Sequence, residues 1–217
     1  MKSIKYLIIK DVMLEWKQKY AINGILLYII STIFLCSLAF EGLLEPRTWN
    51  ALFWVVLLFA AVNAISKSFV QESQGRQLYY YSLADPQSII LGKIIYNIFL
   101  MIVLSVLFFI IFSLFLGNFV QNQLLFFVSY FLGGIGLASL FTMISAIASR
   151  TSNNFSLMAI LGFPIILPLL LILIKISKKA LTTPDWEGTA GLIFSLAGLN
   201  LIIIILAYLL FPYLWRD

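Results

Sequence analysis

Six apolar runs free of charged side chains divide the chain, over residues 21–40, 49–65, 94–116, 123–149, 155–174 and 191–215. Crossing the hydrocarbon of a bilayer takes about 20 such residues, so each run spans it or nearly does. Backbone amides inside a membrane must find partners there, which admits helices or a closed barrel, and runs without period-two alternation predict helices. With flanking residues added, the expected spans are 21–40, 49–70, 89–116, 123–148, 155–174 and 191–214, in a single membrane domain over 1–217. Small residues crowd the fourth run, among them Gly133, Gly134 and Gly136, which are expected where helices pack closely. Pro164 and Pro168 remove amide donors from the fifth and favour a kink. Thr183-Pro184-Asp185 reads as a new helix start, leaving 175–190 as a segment outside the membrane with its own broken helix. Trp49, Trp54, Tyr208, Tyr213 and Trp215 lie near run ends and are expected as headgroup-zone anchors.

The first twenty residues are too polar to cross. Tyr6, Ile9, Met13, Trp16 and Tyr20 nevertheless recur at spacings of three and four, one stripe of a helix, with Asp11, Glu15, Gln18 and Lys19 on the opposite face. Residues 1–20 are therefore expected as an amphipathic helix lying in the membrane interface, its lysines reaching lipid phosphates. The first apolar run follows this segment without a small-residue cleavage site and is expected to be retained as a span.

Composition agrees. Of 217 residues, 62% are hydrophobic and 11% charged, and the mean hydropathy of +1.04 excludes a soluble globular domain. The net charge of +5 is scattered beside apolar runs, so the lipid bilayer and not nucleic acid is the expected counterpart. Six spans put both termini on one side. Lys2, Lys5, Lys10, Lys17, Lys19, Lys67, Arg76, Lys93, Arg150 and Arg216 fall there, against Arg47, Lys175, Lys178 and Lys179 on the other. Cationic loops resist translocation, so both termini are expected in the cytoplasm. Cys36, inside an apolar run, reads as a packed thiol.

The longest polar stretch on the cytoplasmic side joins the second and third spans. Residues 71–88 are expected as a loop that contacts a partner, carried by Phe69, Gln71, Glu72, Gly75, Arg76, Gln77, Leu78 and Pro86. Gly75 allows a break in helix and Pro86 punctuates the start of the third span. The aromatic run Tyr79-Tyr80-Tyr81 suits an interfacial position.

Missing chemistry narrows the reading further. The charged residues all lie outside the six runs and there is no histidine. Carriers driven by protons or ions generally hold ionisable groups at bilayer depth, so secondary transport is disfavoured. Histidine-ligated haem or zinc and a Ser-His nucleophile are excluded from this chain's own residues. The phosphate-cradling loop also fails at Gly92-Lys93, which Ile94 follows and where Gln87 stands at the first glycine position. A six-span bundle with an interfacial helix, a large cytoplasmic loop and no energy source of its own points to a permease. An external ATPase would tilt the spans that the loop joins.

The segment 69–93 resembles the haem exporter B (CcmB) family of the cytochrome c maturation system. Phe69, Glu72, Gly75, Leu78, Leu83, Pro86 and Lys93 look like the family's aromatic, acid, glycine, leucine-rich turn, proline and span-entering lysine. The chain length, the Leu132-Gly133-Gly134-Ile135-Gly136-Leu137 element and Leu167-Pro168-Leu169 are similar as well. The resemblance implies an all-α integral membrane subunit, an ABC-2-type permease-like bundle, without catalysis or a bound cofactor of its own. It further implies that haem and ATP are handled by a complex containing a cytoplasmic ABC ATPase, a haem-handling membrane subunit, a small membrane partner and a periplasmic haem chaperone. The alternatives are an ABC-2-type permease for a lipid, glycan or drug, and a membrane scaffold without an ATPase.

Overall fold

In a computed structural model of the chain, the apolar runs form long helices whose ends are set by proline, glycine and side-chain caps. The structure describes residues 2–17, 19–66, 68, 69, 85–149, 154–182, 186 and 188–216. The helices are α1 (Lys2–Lys17), α2 (Lys19–Phe40), α3 (Pro46–Ile65), α4 (Pro86–Leu116), α5 (Gln123–Ala148), α6 (Asn154–Thr182) and α7 (Ala190–Arg216). No strand occurs among the described residues, and six helices, α2 to α7, are long and apolar enough to cross a membrane. Pro46 and Pro86 open α3 and α4, where a missing amide costs no helical bond. Asn122 caps α5 by accepting the Leu125 amide at 3.0 Å. Glu41 and Gly42, with φ of 47° and 80°, reverse the chain after α2, and Gly117 at φ 77° ends α4.

The fourth span, α5, is the axis of the bundle. Two thirds of it (67%) is buried, against 17% of the α2 span, and it packs on α3, α4, α6 and α7. Gly133 and Gly136 explain how. A Cβ on Gly133 would stand 2.8 Å from the Trp54 ring, and one on Gly136 would collide with Asn200 and stand 2.6 Å from Leu169. Gly134 differs, since its nearest neighbour, Ser105 Oγ, would be 3.6 Å from an added Cβ, an ordinary contact.

The bundle has two distinct ends. One gathers α1, the residues that follow α3, the start of α4 and the end of α7, where the Tyr208 hydroxyl donates to Gln87 Oε1 at 2.9 Å. The other carries the turn after α2, the link from α4 to α5 and the end of α6, where Ala180 O accepts the amides of Gln121 and Asn122 at 3.1 and 2.9 Å.

Several expectations change in physical detail. Trp49 and Trp54 are fully buried and act as core, not headgroup anchors. Trp49 meets Phe53, Phe112, Phe119 and Phe126, and both indoles donate hydrogen bonds, Trp49 to Gly117 O at 2.9 Å and Trp54 to Ser177 Oγ at 2.8 Å. The fifth span does not stop at residue 174. It continues to Thr182 as one helix through both prolines, because Leu173, Ile176, Ser177, Ala180 and Leu181 keep a buried stripe at helical spacing. Lys175 and Lys178 lie along it, and Lys179 sits in its last turn, where a cation suits the negative end of the helix dipole. Residues 183–185, the expected new helix start, lie outside the described residues, while Trp186 O accepts the Thr189 amide in a turn leading into α7.

Candidate functional site

The second span was expected to reach residue 70, but α3 ends at Ile65, and the reason is a side chain on another helix. In a continuing helix the Phe69 amide would donate to Ile65 O, and Ser66 O would accept from residue 70. Instead the Phe69 amide donates to Ser145 Oγ at 3.2 Å, while the Ser145 hydroxyl donates to Ser66 O at 2.8 Å. One serine of α5 thus replaces two rungs of α3 and turns the chain toward the loop.

Below that turn lies a buried polar group built from four elements. Lys93, eight residues into α4, donates to Ser68 O at 2.9 Å and to Asp11 Oδ1 of α1 at 3.3 Å, with its ammonium 5.5 Å from the centre of the Phe69 ring. Asn97, one turn further along α4, donates to Ser68 Oγ at 3.1 Å and to Thr142 Oγ1 of α5 at 2.8 Å. Phe69 is buried and packs on Phe211 of α7, ring centres 5.4 Å apart. A helix of 31 residues is about 46 Å long against a hydrocarbon core of about 30 Å, so α4 places Lys93 near the membrane boundary and not at its centre. There a cation is tolerated when its donors are all used.

Of the loop residues singled out from the sequence, the structure brings Phe69 into this group and makes Pro86 the first residue of α4. Gln71, Glu72, Gly75, Arg76, Gln77 and Leu78 lie outside the described residues. Sequence reasoning missed Asp11, Ser66, Ser68, Asn97, Thr142 and Ser145 as parts of one site, and took Lys93 as a cytoplasmic-side cation and as the span-entering lysine of the resemblance, without a partner. A signal existed: Lys93 and Asn97 are four apart, Thr142 and Ser145 three apart, and polar pairs at those spacings face one neighbour. The apolar stripe of α1 is exposed at Tyr6, Ile9 and Met13, as an interfacial helix requires. Its opposite face is not simply turned to water, because Asp11 is buried against α4.

No group of three or more histidine, cysteine, aspartate or glutamate side chains that could hold a metal occurs among the described residues. The arrangement can orient a loop and relay movement between helices. The sequence model of the CcmB protein family matches residues 2–212, nearly the whole chain and all seven helices in part or in full. The chain belongs to the CcmB family. Comparison with curated proteins and comparison with solved structures give no match. As a CcmB family member with six spanning helices, this chain is a multi-pass membrane protein.

Proposed function

We propose that this chain is the membrane permease subunit of an ABC-type complex that serves haem export, or release of a haem-loaded chaperone, in cytochrome c biogenesis. The family match over 2–212 carries the reading. The geometry adds a physical route for the work. The loop between α3 and α4 leaves the bundle from a stem fastened to α1, α4 and α5, so a push on the loop reaches three helices through bonds of fixed direction. The start of α1, the end of α7 and Lys93 lie at this same end, and the sequence counts most cations on the side of the termini, which supports a cytoplasmic position for it, in the bacterial inner membrane. In this reading the ATPase subunit binds ATP and meets Phe69, Gln71, Glu72, Gly75, Arg76, Gln77, Leu78 and Pro86. A haem-handling membrane subunit with a small membrane partner ligates haem, since this chain offers no imidazole. A periplasmic chaperone receives it.

Gentle purification of the chain from its native membrane, with identification of what accompanies it, tests the proposal. An ATPase together with a haem-binding membrane protein is the expected result. An ATPase without any haem protein would assign another cargo, and no ATPase at all would refute the permease reading.

A further inference from the structure

The proposed function leaves α1 without a task beyond lying in the interface, yet the buried acid of this helix reaches the stem of the loop. Asp11 has 5% of its surface exposed. Its Oδ1 is 3.3 Å from Lys93 Nζ and 3.1 Å from Lys10 Nζ. The same Lys93 ammonium holds Ser68 O at 2.9 Å. One cation therefore joins α1, α4 and the last fastened residues before the loop. The two helices touch beside it, since a Cβ on Gly92 would stand 3.3 Å from Leu7 Cβ. Exposed surface ion pairs can drift apart at little cost, whereas a buried acid that loses its partner is strongly unfavourable. Lys10, on α1 itself, stays with the acid wherever the helix goes, so Lys93 is the link to α4, and parting these two buried groups forfeits their attraction, which ties α1 to the stem.

We propose that the Asp11–Lys93 ion pair is a positioning clamp that makes α1 and the stem of the 70–85 loop one mechanical body, so that α1 shifts whenever an ATPase acts on the loop. The inference rests on the reading of that loop as the ATPase contact. It gives α1 a share in transmission, with the ATP-bound and ATP-free states of the complex differing in how deeply α1 lies in the interface.

The test uses the purified complex with its ATPase subunit. Cys36 is replaced by serine and a single cysteine is introduced by Tyr6→Cys, at a position 71% exposed on the outer stripe of α1. Maleimide labelling of that cysteine is timed without nucleotide and with ATP plus vanadate. The rate is expected to change about threefold or more between the two states and to become insensitive to nucleotide in Asp11→Asn. A rate that ignores nucleotide while the ATPase is bound overturns the clamp and leaves the permease reading intact. A response that persists in Asp11→Asn also overturns it. If no ATPase accompanies the parent chain, the permease reading itself has failed. Where Asp11→Asn does not accumulate, Asp11→Glu serves: the longer arm should weaken the nucleotide response, and a full response overturns the proposal.

Discussion

The two ends of the bundle are held by different forces. At the end that bears α1, contact between elements runs through directional polar bonds: Ser145 to the turn after α3, Asn97 to Ser68 and Thr142, and Lys93 to Asp11 and Ser68. At the opposite end the contact is mostly aromatic surface. Trp49, Phe53, Phe108, Phe112 and Phe126 are all at or below 1% exposure, their ring centres 5.1 to 5.8 Å apart where they meet. A few polar bonds supplement them, notably the chain from Trp54 through Ser177 to Asn50. Aromatic packing is strong in sum, and a small displacement forfeits much of it. Hydrogen bonds can exchange one partner for another, so the polar end is where the bundle can adopt a second arrangement. If the chain is the proposed permease subunit, work enters at the polar end and the aromatic end serves as the pivot.

The largest effect is expected among the buried aromatic rings. Trp54→Ala removes a fully buried ring and the hydrogen bond it donates to Ser177 Oγ, and is expected to destabilise the bundle by about 3–5 kcal/mol, read by reversible unfolding in mixed detergent. Next comes the glycine that seats α5 on that ring, with its neighbour as control. Gly133→Val should cost about 1–3 kcal/mol through overpacking on Trp54 and Leu173, whereas Gly134→Ala should lie within about 0.5 kcal/mol of the parent in the same unfolding measurement. Equal effects at the two positions would contradict the close approach assigned to α5.

Smaller stability effects with larger functional ones are expected at the polar end. Asn97→Leu and Ser145→Ala each remove bonds of a kind that averages about 0.6 kcal/mol in membrane helices and reaches about 1.7, so the bundle should stay folded. Loosening the stem should nonetheless lower the ATPase activity of the reconstituted complex several-fold, by about 1 kcal/mol in coupling. Activity that simply tracks stability across all these variants would erase the distinction between the two ends.

Much of this fold is legible in the sequence, because hydrocarbon imposes length and apolarity on any span, and α2 to α7 follow from that constraint. Which face of a span turns inward is far less legible. Lipid is as apolar as a protein core, so Trp49 and Trp54 read equally well as headgroup anchors or as core, and only their neighbours decide. The extension of α6 to Thr182 was hidden by its lysines, which interrupt the apolar run without interrupting the buried stripe from Leu173 to Leu181. In α1 the stripe was visible and the clamp was not, since a lone Asp11 gives no sign that its partner is Lys93, 82 residues further along the chain.

The central claim, that work enters through the loop at the polar end, is tested most directly by recovery of a co-expressed ATPase subunit on the tagged chain, compared between the parent and Glu72→Lys. Charge reversal inside a protein contact puts like charges together or leaves a partner unpaired, so recovery is expected to fall about tenfold, with the chain's abundance in the membrane unchanged. Equal recovery from the two would contradict the account.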